Sequence, residues 1–342
     1  MAVTIYDIAK EAKVSPSTVS RVLTSNAKVS PEKERAVRAL IEKYNFQPNA
    51  LAQGLSETQS RTIGLMVADI RNPYYAEVSV ACEVAANKRG YKMFLSNARS
   101  NPELEVEILE RFTSLRVDAI IQIGCRVDEL ESDPEYVKKV DNLSVPFVST
   151  GVLDGSKRAY AFGIDSMAGI DLAFSHLLEL GHEKIAFLGG WLRVRSTYQK
   201  WMRYIYLLGA NGLPARTDYV QEGGYVFEAG VSCMRRLLAL DDRPTAIIAV
   251  NDISATGAIA AIREEGLSVP EDFSIISHDN TLLSSVCVPL LTSVDYGYEK
   301  LGEGLVGTAL RLAKHEIIPQ ETLLTPTLSV KNSCARPRKP VS

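Results

Sequence analysis

The sequence predicts a small all-α module followed by an α/β core of two similar subdomains with parallel sheets. Two observations carry this. Over residues 1–45, apolar side chains recur at helical spacing. From Thr62 onward, short apolar runs alternate with amphipathic helices, and the rhythm restarts near Ile185. The 342 residues are 46% apolar and 23% charged, which is ordinary for a globular chain of two or more domains. The formal net charge of −3, taken alone, argues against nucleic acid as a partner. No apolar run approaches the ~20 residues of a membrane span. The N-terminus is amphipathic and lacks the apolar segment of a secretory signal, so a cytoplasmic location is expected. Five cysteines (Cys82, Cys125, Cys233, Cys287, Cys334) are scattered and never in a C-x-x-C pair. That spacing argues against a disulfide framework or a metal site.

The first helix starts at a T-x-x-D capping box, Thr4 with Asp7, and carries Ile5, Ile8, Ala9 and Ala12 on one face. The second has Ser15 as its cap and Pro16 at its first position, where a missing amide costs nothing. Only Lys13 and Val14 separate the first helix from that cap, which is helix-turn-helix spacing. The third helix repeats the device with Ser30-Pro31-Glu32 and runs through Ala36, Val37, Leu40, Ile41 and Tyr44. The outer face of the second helix carries Ser17, Thr18, Ser20 and Arg21. Short hydroxyls suit close approach to phosphates, and an arginine can pair bidentately with a guanine edge. The alternative is an ordinary capped surface helix.

The run V-T-I-Y-D-I-A-K-E-A-K-V-S-P-S-T-V-S-R-V-L, then V-S-P-E, then F-Q-P-N-A-L-A-Q-G-L, resembles the DNA-binding headpiece of the lactose-repressor (LacI/GalR) family of bacterial transcription factors. Further matches cover nearly the whole chain: T-I-G-L-M-V-A-D-I-R-N-P-Y-Y at 62–75, R-V-D-A-I-I at 116–121, L-G-H-E-K-I-A-F-L-G-G at 180–190, A-V-N-D at 249–252, V-P-E-D-F-S-I-I at 269–276 and P-L-L-T-S-V at 289–294. Carried over by position, the resemblance places base readers on Pro16, Ser17 and Arg21. It places backbone contacts on Ser15, Thr18, Ser20, Thr24, Ser30, Phe46, Asn49 and Gln53, and a minor-groove wedge on Leu55. Thr4 and Lys28 complete the DNA-facing set. It also implies a hinge helix over 49–56 that folds on operator DNA. Two departures are Gly54 in that hinge and Lys13 where the family usually has glycine. A lysine at positive φ is modestly strained.

The resemblance implies a periplasmic-binding-protein-like core whose chain crosses between subdomains near 161–165, 294–298 and 323–327. The expected organisation is a headpiece at 1–46, hinge and linker at 47–61, a core at 62–335 and a tail at 336–342. Within the core, the first subdomain would hold 62–161 and 297–324, and the second 162–295 and 325–335. Residues 1–60 hold eight basic and six acidic side chains, so the headpiece is +2 and the remainder −5. A basic reading head on an acidic body fits a DNA-binding regulator.

Ligands in parallel α/β sheets bind beyond the carboxyl ends of the strands. Matching family positions, effector contacts fall on Tyr74, Tyr75, Ser196, Lys200, Tyr225, Asn251 and Asp279, with Asp69 close by. For each aspartate the alternative is a strand-end cap. The segment 191–204, W-L-R-V-R-S-T-Y-Q-K-W-M-R-Y, departs most from the family. Lys200 stands where arginine is usual, Arg203-Tyr204 replace a glycine-aromatic pair, Gly151 holds a position often acidic, and Ser277-His278 replace another glycine-aromatic pair. The added cations Arg193, Arg195 and Arg203 point to an anionic effector, a sugar acid or sugar phosphate. The alternative is that they face solvent or pair with Glu183 or Asp165.

Gly302-x-Gly304-x-x-Gly307 matches a dinucleotide fingerprint but lies inside a helical pattern, not at a strand-to-helix turn. Close helix packing explains it better. His182 reads as a turn residue before a strand, and no Ser-His-Asp, H-x-x-x-H or P-loop spacing occurs. No catalysis and no cofactor are expected. The leading expectation is a homodimeric repressor that binds near-palindromic operator DNA and responds to a carbohydrate-type effector. The competing functions are a soluble sugar-binding protein, an α/β sugar enzyme, and a regulator using a phosphoprotein corepressor. The tail lacks a leucine heptad, so no tetramer is expected.

Overall fold

The structure is a computed structural model that describes residues 3–24, 29–46 and 60–338. The chain divides into two compact units, residues 1–60 and 61–342. The expected hinge helix at 49–56 lies outside the described residues, as do Lys28, Asn49, Gln53 and Leu55. No helix among the described residues is long and apolar enough to cross a membrane.

The first unit contains α1 (Ile5–Glu11), α2 (Pro16–Thr24) and α3 (Pro31–Lys43). Thr4 and Asp7 form the reciprocal box: Thr4 Oγ1 accepts from Asp7 N at 3.4 Å, and the Asp7 carboxylate accepts from Thr4 N at 2.8 Å. Lys13 adopts φ 53°, so the turn uses the left-handed region at a non-glycine residue. The three helices close on Ile8, Ala9, Val19, Val22 and Val37. Phe46 packs against this cluster and is half-buried. Glu11 accepts from Lys43 Nζ at 2.8 Å and from the Tyr44 hydroxyl at 2.7 Å, which ties α1 to the end of α3.

The second unit holds two six-stranded sheets. The first subdomain comprises β1 (Thr62–Val67), α4 (Pro73–Asn87), β2 (Lys92–Asn97), α5 (Pro102–Ser114), β3 (Ala119–Ile123), α6 (Pro134–Asp141), β4 (Phe147–Ser149) and β5 (Ala159–Ile164), with α12 (Tyr298–Ala313) and β11 (Glu321–Leu324) returning to it. The second comprises α7 (Ser166–Glu179), β6 (Ile185–Leu188), α8 (Arg195–Ala210), β7 (Val220–Gln221), α9 (Phe227–Leu238), β8 (Ala246–Ala249), α10 (Asp252–Glu264), β9 (Ser274–Asp279), α11 (Leu282–Val286), β10 (Thr292–Asp295) and β12 (Thr327–Ser329). The first sheet, ordered β11-β5-β4-β3-β1-β2, is wholly parallel. The second, ordered β12-β10-β9-β8-β6-β7, is parallel except where β12 pairs with β10.

The strand-to-helix turns are written in the sequence. Asn72-Pro73, Asn101-Pro102 and Asp133-Pro134 each place a capping oxygen before a proline at the first helical position. Alternation then sorts the strand residues. Ile63, Leu65 and Val67 pack on α4 and α12, while Met66 meets α5 and α6. In the second sheet Leu188, Ile247 and Ile275 pack on α9 and α10, while Phe187, Ile248 and Ile276 pack on α7 and α8.

The chain passes between sheets after Ile164, after Asp295 and after Leu324. The first passage falls within the expected 161–165 window: β5 pairs with β11 through Ile164, so residues 162–164 belong to the first sheet. His182 is buried rather than a surface turn residue. Its Nδ1 meets Thr245 Oγ1 at 2.9 Å, and its Nε2 lies 2.9 Å from Ser274 Oγ and 2.8 Å from the Ala335 carbonyl. It thereby fastens the C-terminal segment to β9. Burial holds this imidazole below its ordinary pKa. The unfolded chain takes up a proton near pH 6.5 while the folded chain resists it, so the stabilisation is present above pH 6.5 and lost as the pH falls. In urea titrations at pH 7.5 and pH 5.5, the stability difference between the native chain and His182→Gln should therefore shrink at the lower pH.

Gly302 faces α4, where a Cβ would lie 2.5 Å from the Ala81 backbone. A Cβ on Gly304 would enter the Phe162 ring, whereas Gly307 has nothing within 4 Å. The three glycines therefore lie within a helix, and two of them meet close neighbours. Gly302→Val should cost about 1–3 kcal/mol by overpacking. Gly307→Ala should gain up to about 1 kcal/mol of helix propensity, read by chemical denaturation. A loss of equal size at both positions would contradict the packing role.

Candidate functional site

Two surfaces carry candidate chemistry, one on each unit. On the headpiece, Val19 and Val22 turn inward and leave Pro16, Ser17 and Arg21 exposed. Ser15 Oγ accepts from Thr18 N at 3.3 Å and so caps α2. The hydroxyls of Ser15, Ser17 and Thr18 form a chain at 2.7 and 2.9 Å. Such a chain can turn its donors toward phosphate oxygens without rearranging backbone. Ser20 is half-buried beside it. Ser30 caps α3 by position, and its hydroxyl makes no capping bond. The Thr24 side chain is outside the described residues.

On the core, a cavity of about 750 Å³ opens where strand ends of the two sheets face each other. Asp69, Tyr74, Tyr75, Ser196, Lys200, Tyr225, Asn251 and Asp279 all line it. Arg203 does not. Its guanidinium grips Asp171 of α7 at 2.6 and 3.0 Å and lies over Tyr206. Neighbouring helices satisfy this cation away from the cavity. Arg195 pairs with Asp154 and donates to the Leu130 carbonyl at 3.0 Å. Of the three added arginines only Arg193 lines the cavity, with its guanidinium 5.3 Å from the Trp191 ring centre. Neither Glu183 nor Asp165 takes these cations.

Several cavity residues also hold structure. Asn251 caps α10 through Ser254 N at 2.9 Å and donates to the Tyr225 carbonyl at 3.1 Å. Asp69 receives the Arg71 guanidinium at 2.6 Å. The Tyr225 hydroxyl accepts from Trp191 N at 3.3 Å and shares a bond with Thr197 at 2.8 Å. Lys200 is buried, and its ammonium donates to the Tyr296 hydroxyl at 3.0 Å and the Val250 carbonyl at 3.3 Å. Burial lowers the Lys200 pKa to about 8, against the pull of Asp279 and Asp128. Asp279 is held well above the usual carboxylate range by burial and by the charge of Asp252. These are the effects expected when charges leave water with incomplete compensation.

The backbone at this wall is strained. Asp279 and Asn280 take φ 98° and 53°. Consecutive non-glycine residues in this region cost about 1–3 kcal/mol each and persist only where their surroundings over-determine them. Buried Asp252 supplies that constraint by accepting from Ser277, Thr281 and Ser293 at 2.5 to 2.8 Å. Buried His278 fills the space behind and gives one ring nitrogen to the Ala249 carbonyl at 3.0 Å.

Sequence reasoning missed Tyr296, Trp191, Glu105 and Asp128, which also line the cavity. Tyr296 follows β10 and Asp128 follows β3, so the strand-end rule could have found both. Gly151 looked like a lost acid. Its missing side chain instead leaves room for Asp128, whose Oδ1 lies 2.6 Å from where a Cβ would sit. At the cavity wall the two subdomains are also bridged. Leu130 N donates to the Arg193 carbonyl at 2.8 Å, and Glu129 pairs antiparallel with Val194.

Lys200→Met should destabilise the core by about 3 kcal/mol, because it removes the buried cation that opposes Asp279. Adding Asp279→Asn should recover most of that loss. Arg203→Ala, which breaks a half-exposed pair, should cost under about 1 kcal/mol. Urea unfolding of the four chains checks all three values.

Comparison with known proteins places these two surfaces in context. Residues 4–49 match the family described as bacterial regulatory proteins, lacI family, and residues 174–334 match a periplasmic binding protein-like domain. The chain is 36% identical over 295 residues to catabolite control protein A of Priestia megaterium, covering 86% of this chain and 87% of that one. It superposes on the lac repressor dimer bound to operator and the anti-inducer ONPF with a TM-score of 0.87 at 27% identity, covering 98% of this chain and 100% of that one. It also superposes on the transcriptional regulator CelR in its cellobiose complex with a TM-score of 0.72 at 25% identity, covering 97% and 99% of the two chains. An exposed helix-turn-helix face joined in one chain to a two-subdomain core is the arrangement of these relatives, and the chain belongs to the lacI family of DNA-binding transcriptional regulators.

Proposed function

We propose that this protein is a cytoplasmic, homodimeric, sequence-specific repressor whose operator affinity is set by a small carbohydrate-type effector bound in the core cavity. The observation that carries this is the cavity itself. Aromatic rings (Tyr74, Tyr75, Trp191, Tyr225, Tyr296) and carboxylates (Asp69, Asp128, Asp279) converge where the strands of two subdomains end. Flat rings suit the C–H faces of a sugar, and carboxylates take its hydroxyl donors. A similar solved regulator carries cellobiose. The charge balance favours an uncharged sugar over a sugar acid or phosphate. Of the lining cations, Arg71 pairs with Asp69, Arg126 pairs with Asp133, and Lys200 is opposed by the charges of Asp279 and Asp128; Arg193 has no acidic partner among the described residues.

Dimerisation is supported by exposed apolar side chains at the edge of the first subdomain. Val80 and Val84 on α4, and Phe94 and Leu95 on edge strand β2, are all about half exposed. Two copies would bring two α2 helices to two half-sites of near-palindromic DNA. Effector binding would favour one angle between the subdomains over another. It changes DNA affinity only by its differential affinity for the two states.

A gel-shift assay with the DNA upstream of the protein's own gene tests the proposal. The full chain should shift the fragment, and a chain starting at residue 61 should not. Arg21→Ala should weaken discrimination between the specific site and its base-substituted versions by about 1–3 kcal/mol. A shift retained by the headless chain would overturn the reading.

A further inference from the structure

The carboxylate of Asp128 stands apart from the other acids in the cavity wall. Asp69 is held by Arg71, Glu105 accepts from Gln122 at 3.0 Å, and Asp279 is served by Tyr296. Asp128 has no hydrogen bond or ion pair to its carboxylate among the described residues. It sits at the end of a short 3-10 turn, Cys125–Asp128, that follows β3. It lines the cavity together with the aromatic rings of Tyr74, Tyr75 and Tyr225. The position is built rather than incidental. Any side chain at Gly151 would meet both the Val127 carbonyl and the Asp128 carboxylate.

An ionised carboxylate has two oxygens and no proton to give, so it waits for donors. The group is half-buried in the cavity wall with no protein donor among the described residues, and burial pushes its pKa up to about 6. Arg195 and Lys200 oppose this only through space. A polyol satisfies such a group with two neighbouring hydroxyls. A second anion in the same space would face both Asp128 and Asp279, with Arg193 as a lining cation that has no acidic partner among the described residues.

We propose that Asp128 determines the effector specificity of the cavity: it accepts hydrogen bonds from adjacent hydroxyls of an uncharged sugar, and it excludes effectors that carry carboxylate or phosphate. This rests on the carbohydrate reading of the cavity given above. It assigns to Asp128 the discrimination that the arginines of segment 191–204 seemed to provide.

Isothermal titration of the full chain at pH 7.5 tests it. The probes are cellobiose, glucose and ribose, together with gluconate and glucose 6-phosphate. At least one neutral sugar should bind, more tightly than every charged probe. Asp128→Asn should weaken that sugar by 10- to 100-fold and should raise the affinity for gluconate relative to it at least tenfold. Gly151→Ala should weaken the same sugar, and Arg203→Ala should leave it within twofold. Circular dichroism and melting temperature establish that each variant folds, and the gluconate ratio remains readable even if absolute affinity drops. Neutral-sugar affinity unchanged in Asp128→Asn would overturn the assignment, as would tighter native binding of any charged probe, while the carbohydrate reading would stand. Binding of no probe to the native chain would overturn the carbohydrate reading itself, and this assignment with it.

Discussion

The ammonium of Lys200 is buried against the Tyr296 hydroxyl and the Val250 carbonyl, and it feels the charges of Asp279 from one subdomain and Asp128 from the other. Much of the core is arranged around this placement. Lys200 is carried by α8, Asp279 by the strained end of β9, and Tyr296 by the link into α12. The Tyr296 hydroxyl takes a bond from Lys200 and serves Asp279, so it relays between cation and anion. A buried charge set of this kind adds little net stability. It does demand that three separate elements stop in register, and Asp252 supplies the backing by holding the turn after β9.

The topology turns that local electrostatics into a means of sensing. Three strands of chain link the subdomains. The bridge between Glu129 and Val194, and the Arg195–Asp154 pair, also join the same two bodies. A ligand between the walls would therefore act at the point where a small change of contact alters the angle of two rigid sheets. Packed sheets transmit such a change with little internal loss, because their interiors have low compressibility.

The headpiece depends on different physics. Among the described residues its core is five buried aliphatic side chains, and local caps do much of the remaining work. This division allows a short recognition helix to keep poor helix formers such as Ser17, Thr18 and Ser20 on its surface. The hydroxyl chain from Ser15 to Thr18 both caps the helix and presents donors.

Helix starts, strand positions and the helix-turn-helix spacing were legible in the sequence because each rests on near neighbours. Asn72-Pro73 and Ser15-Pro16 announce their helices whatever lies across the fold. The whole-chain charge of −3 was less informative than its division into a +2 head and a −5 body. Strand-end residues such as Tyr74, Asn251 and Asp279 were identifiable as cavity residues because they follow apolar runs and match the family's positions. What pairs with what was not legible. Arg203 and Asp171 are distant in sequence and meet only because α7 packs on α8. Gly151 reads as an absent acid until β3 and β4 lie side by side and Asp128 takes the space. The sequence by itself determined the order of elements and the residue types at each strand end, through local propensity and periodicity. Only the tertiary structure decided which charges enter the cavity and which are neutralised outside it, because burial and partner distance belong to the packed chain.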